Sequence, residues 1–393
     1  MQTLCLKISD ETLRDGEQQA GVFFSYANKK NLAHLIAKAG VESIVIMPAM
    51  CETEESALQA LISEGLGSII ISATMMGQKY IDQAVACGVK RLTLFHAVSD
   101  RLLFLRDPQI RQSPDFKGKT IDDGIPQAVI NTIRQNALNK ILENLRYATR
   151  EAGLTVYFAA EDASRADFDY LVECIRSFEP YVDHFMVCDT VGTLSPEKTY
   201  IWINDLRQCT NEARLAVHFH NDLGMALENT LQAIIAGASM VSGTFLGIGE
   251  RAGNVALEQV LNGLRVRFGI EVEGIDYDAI AHVTEYMEQL GVRPAPPYSR
   301  ASQRSESGIH VNSFLYDRKS YSDLPYHDLE VWFGKGSGAS NFQYLFENLL
   351  QRPQPRERYE KMRSCIKSLA IQHERSFTAQ EVLELFEQGV FDE

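Results

Sequence analysis

The feature that most constrains this chain is an alternation, repeated eight times in about 290 residues, of short apolar runs with helically spaced stretches. The runs, at 4–8, 41–47, 68–74, 89–98, 154–160, 184–188, 214–220 and 240–246, are mostly continuous Val, Ile and Leu. That is how parallel strands buried on both faces read. Helical spacing follows, as at Leu32, Leu35, Ile36 and Ala39, which stops at Gly40, a C-cap signal. Eight near-equal βα units predict a (β/α)8 TIM barrel over 1–291, whereas a doubly wound open sheet has no obvious place for eight. At 393 residues the chain suits such a barrel plus an appendage. Arg293-Pro-Ala-Pro-Pro-Tyr298 reads as stiff extended chain near the start of a linker or lid at 292–325. Residues 326–393 read as a small, mainly helical C-terminal subdomain.

In such a barrel the active site lies at the C-terminal ends of the strands. There the sequence gathers Arg14 and Asp15, Glu161 and Asp162, Asp189 and Thr190, His218 and His220, and Glu250 and Asn254. Alternation along strand seven puts His218 and His220 on one side, roughly 7 Å apart at about 3.3 Å of rise per residue. Phe219 faces the other way. Two imidazoles so placed can converge on one metal ion, or can be hydrogen-bonded polar residues at a strand mouth. Asp15 would complete a facial set for a divalent metal ion (Zn, Mg or Mn), and Asn254 could add a carbonyl oxygen. Open positions would remain for a 2-oxo acid. Arg14 then either stabilises charge developing on the keto oxygen or pairs with Asp15 or Glu17. Glu161 is a catalytic carboxylate or a buried acceptor, and spacing does not separate the two. Gly247, Gly249 and Gly253 make a turn able to hold an anion, without the Lys of a P-loop or the placement of a dinucleotide fingerprint.

A net charge of −14 argues against nucleic-acid or anionic-membrane partners, though a local pocket can still be positive. No apolar run approaches the roughly 18 residues of a membrane span, and no signal peptide is expected at the start. Seven scattered cysteines without a C-x-x-C fit a reducing compartment, so a cytoplasmic location is expected.

Four motifs carry a resemblance: Asp10-Glu-Thr-Leu-Arg-Asp-Gly-Glu-Gln18, His218-Phe-His-Asn-Asp-Leu-Gly224, Gly247-Ile-Gly-Glu-Arg-Ala-Gly-Asn254 and Ser307-Gly-Ile-His310. In this order, over roughly residues 4 to 340, they resemble the 2-isopropylmalate synthase / homocitrate synthase family of metal-dependent Claisen-condensing barrels. The resemblance implies acetyl-CoA plus a 2-oxo acid giving a 2-substituted malate and free CoA. By the family pattern Asp15, His218 and His220 are metal ligands, with Asn254 near or on the metal. Arg14 matches the catalytic arginine, and Glu161 and Thr190 match substrate-contacting positions. His310 matches a histidine after the barrel that helps deprotonate the acetyl group, with Tyr321 its companion. A thioester α-proton is weakly acidic and needs such a base. The plainer reading of His310 is a cap or packing residue in the linker. In the family this histidine reaches the neighbouring protomer, which implies a homodimer with an exchanged C-terminal segment. The chain ends about where the family's regulatory domain would begin, and feedback inhibition by leucine is not expected.

Two departures bear on the acceptor. Strand two, Val41-Glu-Ser-Ile-Val-Ile-Met-Pro48, carries Val45 where an acidic residue is usual, and the connection after strand four is longer and more apolar. The loops there offer Met47, Met50, Met75, Met76, Leu102, Leu103 and Phe104. Each alone reads as core; together they suit a wide, adaptable apolar pocket, with Met47, Met75 and Leu103 touching substrate. The acceptor is therefore read as apolar, bulky ones of the phenylpyruvate type included, as in benzylmalate synthases. A homocitrate synthase must pair a second carboxylate, for which Arg101, Arg106 and His96 are the candidates. A hydroxymethylglutaryl-CoA-type lyase shares the barrel and metal set but needs a cysteine in the loop after strand eight, and 243–254 contains none.

Overall fold

The computed structural model describes residues 2–210, 214–324 and 329–392. Its first nine strands are β1 (Gln2–Leu4), β2 (Lys7–Asp10), β3 (Ser43–Ile46), β4 (Ile70–Thr74), β5 (Arg91–Ala97), β6 (Thr155–Glu161), β7 (His184–Asp189), β8 (Leu215–Phe219) and β9 (Met240–Gly243). Strands β2 to β9 pair in order, all parallel, and β9 closes onto β2 to complete an eight-stranded barrel. The run expected as one strand at 4–8 is two, because β1 leaves the barrel to pair with β10 (Ile270–Val272).

Both faces of the strands are apolar because both are covered. Ile44, Ile46, Leu92, Leu94, Val217 and Phe219 turn outward into the layer of helices. Val45, Ile71, Ala73, Met186, Ala216 and Met240 fill the interior. The period of two assigns each residue to one layer. Ser25 caps the first helix, Tyr26–Lys38, accepting from the Asn28 N–H at 3.3 Å. The long connection after β5 is not all irregular. Ser99 and Asp107 cap two short helices there, Asp100–Arg106 and Pro108–Gln112.

Beyond the barrel, the linker gives β11 (Arg304–Ser305) and the helix Gly308–Phe314. With β12 (Glu330–Phe333) and β13 (Phe377–Thr378), β11 makes a three-stranded sheet. Helices Ala339–Gln343, Arg356–His373 and Ala379–Glu387 pack on it. Val331, Phe333, Phe342, Met362, Ile366 and Val382 form a second core, which takes Val311 from the linker. The C-terminal unit is thus mainly helical, as expected, with a small sheet besides. Strands of two residues carry no readable period. The boundary expected at 326 lies outside the described residues. Among the described residues, no helix is long and apolar enough to cross a membrane.

Candidate active site

Strand β8 delivers His218 from inside the barrel, Phe219 goes outward to the core, and His220 follows at the strand's end in a bridge to Asn254. The two imidazoles lie 5.0 Å apart by ring centroid, nearly perpendicular. Asp15 comes from the turn after β2. One ligand atom each from Asp15, His218 and His220 lies within 4.8 Å of the others, as one ion requires. All three are buried. Burial keeps both imidazoles below their usual pKa, and so neutral, the form that binds metal. Burial alone would raise the Asp15 carboxyl, but the Arg14 guanidinium beside it and the hydrogen bond from Asn254 hold it well below the carboxylate range. His220 Nδ1 donates to the Gly253 carbonyl at 3.2 Å, and His218 Nδ1 lies 3.1 Å from Ser242 Oγ. Such outer contacts fix a ring and leave its Nε2 for an ion.

Asn254 stands behind Asp15. Its Nδ2 donates to Asp15 Oδ1 at 2.7 Å, while its own Oδ1 is buried with no partner. Both Glu250 oxygens are buried without a hydrogen bond, and Oε2 faces His310 Nδ1 at 3.4 Å. A cation would satisfy such orphans, so the donor set fits one. Gly249 allows the arrangement: a Cβ there would lie 2.2 Å from Asn254 Nδ2 and 2.5 Å from Asp15 Oδ1. Arg14 makes the pairing with Asp15 that was one of its two readings. Its Nη1 donates to Asp15 at 3.0 Å and its Nε to Glu11 at 2.7 Å, and it still lines the cavity.

That cavity, about 790 Å³ with its open mouth, has an apolar floor of Val45, Met47, Ala73, Phe95 and Ala159. Glu161, Thr190 and the metal-type residues make its rim, and Ser307, Ile309 and His310 its roof. His310 Nδ1 lies 3.4 Å from Glu250, and its ring stacks on Tyr321 at 3.6 Å. Tyr321 donates to Glu161 Oε1 at 2.5 Å, and Arg106 grips both Glu161 oxygens at 2.6 and 2.9 Å. Thr190 Oγ1 accepts from the Asp162 N–H at 2.8 Å. His310 stands over the barrel of its own chain, beside Glu250.

Two expected contacts differ. Met75 packs against the interior cluster but does not line the cavity, and Leu103 is buried in the outer core on helix Asp100–Arg106. Sequence reasoning missed the roles of Glu11, Arg106 and Glu250. Glu11, three residues before Arg14, and Glu250, inside the glycine-rich motif, each left a local signal, and Arg106 left none.

Residues 5–287 match the HMGL-like family. Homocitrate synthase AksA of Methanothermobacter thermautotrophicus is 32% identical, over 85% of this chain and 81% of its own. The 2-isopropylmalate synthase 2 of Caldanaerobacter subterraneus subsp. tengcongensis is 30% identical, over 97% of this chain and 94% of its own. The HMG-CoA lyase of Pseudomonas aeruginosa shares the fold at a TM-score of 0.57 and 20% identity, over 76% of this chain and 96% of its own. The chain therefore belongs to the HMGL-like family, in its 2-isopropylmalate synthase / homocitrate synthase branch of acyl-transferring condensing enzymes.

Proposed function

We propose that this chain condenses acetyl-CoA with an apolar 2-oxo acid, giving a 2-substituted malate and free CoA. What carries the reading is the meeting of Asp15, His218 and His220 at the rim of a cavity with an apolar floor. Asp15, His218 and His220 would hold a divalent ion there, which would supply Lewis acidity to the keto group. Arg14, beside Asp15, balances the negative charge that develops on the keto oxygen. His310, in the roof, takes the proton from the acetyl methyl group, and the stacked Tyr321 keeps its ring in place. Thr190 contacts the acceptor from the rim. Water then cleaves the thioester, which makes the sequence irreversible.

The apolar acceptor is favoured because the three basic candidates for a second carboxylate are engaged. Arg106 is taken by Glu161 and Tyr321, and Arg101 by Asp122 and Asp317. Burial pushes His96 down to about 4, and its Nδ1 faces the Ala97 carbonyl at 2.9 Å.

Release of CoA, followed with a thiol reagent across a panel of 2-oxo acids, tests this. Turnover is expected with 2-oxoisovalerate or a bulkier apolar acid, with little from 2-oxoglutarate. Chelation should abolish it and a divalent metal restore it. His218→Ala should cost about a thousandfold in kcat, some 4 kcal/mol of barrier. Turnover undiminished after thorough metal removal would overturn the reading, as would cleavage of hydroxymethylglutaryl-CoA in place of condensation.

A further inference from the structure

We infer that Lys335, in the loop Gly334-Lys-Gly-Ser-Gly338, is a positioning residue that holds His310 in register with Arg14 and Asp15. The inference rests on the condensation reading above.

Lys335 is 3% exposed, although it belongs to the C-terminal unit. Its Nζ reaches into the barrel wall, 2.5 Å from Glu17 Oε1 and 2.7 Å from Glu54 Oε1. Lys29 takes the other oxygen of each carboxylate, at 2.5 Å from Glu17 Oε2 and closer still to Glu54. Two ammonium groups thus face two carboxylates, and all four side chains are out of water. Burying an ion costs several kcal/mol, so the set is tolerable only when complete. Three members come from the barrel and carry a net negative charge, which leaves the barrel wall one cation short without Lys335.

The network brackets the reacting pair. Glu17 follows Asp15 by two residues, and Lys29 Nζ also donates to the carbonyl of Leu13, which precedes Arg14. The same loop grips the roof from its other side. The Gly308 N–H donates to the Gly336 carbonyl at 3.1 Å, and Ser337 Oγ to the Glu306 carbonyl at 3.3 Å. Ser340 Oγ donates to the Gly308 carbonyl at 2.9 Å. A Cβ on Gly308 would lie 2.5 Å from Gly338 N, so the two backbones touch without slack. His310 follows Gly308 by two residues. One loop therefore joins the turn that carries Arg14 and Asp15 to the segment that carries His310.

Three variants test this: Lys335→Met, Lys335→Arg, and Lys335→Met with Glu54→Gln, which restores charge balance without the tether. In Lys335→Met, kcat should fall about a hundredfold, as expected for a base displaced by about 1 Å. KM for the 2-oxo acid should stay within about threefold, because that ligand binds on the barrel side. Amide hydrogen exchange should quicken in 11–18 and 305–311. The double variant should recover thermal stability but not kcat, and Lys335→Arg should recover part of kcat. A kcat in Lys335→Met within about threefold of the parent chain, below its melting temperature, would sink the proposal. So would recovery of kcat together with stability in the double variant, which would make the lysine merely structural. If the parent turns over no 2-oxo acid, the condensation reading fails instead. The tether then stands or falls on whether exchange in those two segments changes.

Discussion

Burial alone would raise the Glu161 carboxyl, yet the paired contacts from Arg106 hold it down to about 2. At neutral pH it is a charged acceptor for the Tyr321 hydroxyl and no proton donor. Its folded value is depressed, so its stabilisation is present above the unfolded carboxyl value of about 4.3 and lost as pH falls toward 2. Glu161→Gln leaves the largely buried Arg106 without its countercharge and should cost about 3 kcal/mol at pH 7, and less at pH 3. Urea unfolding at the two pH values checks the sign. Arg14, Asp15, His218 and His220 were legible in the sequence because each stands in a short motif with readable spacing. Arg106 was not, since it lies 55 residues from the carboxylate it holds and nothing local marks the pairing.

At the scale of elements, the barrel mouth divides in two. Strands β3 to β6 supply the apolar floor through Val45, Ala73, Phe95 and Ala159. β8 and the turns after β2 and β9 supply the metal-type groups and Arg14, while the end of β6 adds the charged Glu161 to the rim. Leu103 shows where reading stopped. Its helix is apolar, and sequence does not choose between a pocket wall and the outer core when both want the same side chains. The strands themselves were plain because cover on both faces leaves an uninterrupted apolar run, whereas β11 and β13 are too short to have a pattern. Ala73 offers a direct test. Enlarging it to Leu fills the floor, and one methylene in such a pocket is worth about 1–3 kcal/mol. In Ala73→Leu, kcat/KM for bulky 2-oxo acids should fall about 10- to 100-fold relative to pyruvate, measured by direct competition.

Across the whole molecule, two cores meet at a seam, and Glu306 lies buried in it. Burial pushes its carboxyl up to about 7, against the opposing contact from Ser376 Oγ at 2.6 Å. The folded chain then keeps a proton that the unfolded chain gives up above about 4.3. Stability should therefore fall as pH rises from that value toward 7. Glu306→Gln removes the titration, so the drop in melting temperature between pH 5 and pH 8 should be smaller than in the parent by a few degrees, roughly 2 kcal/mol or somewhat more. Differential scanning fluorimetry reads this directly.

The division of the mouth bears on descent. On the proposed reading, opposite arcs of one ring carry the apolar floor that would select the acid and the metal-type groups that would act on it. A lineage can therefore sample new acids one strand position at a time while turnover persists. Relatives of common ancestry named for different products, homocitrate in one and 2-isopropylmalate in another, are what such an arrangement would leave behind.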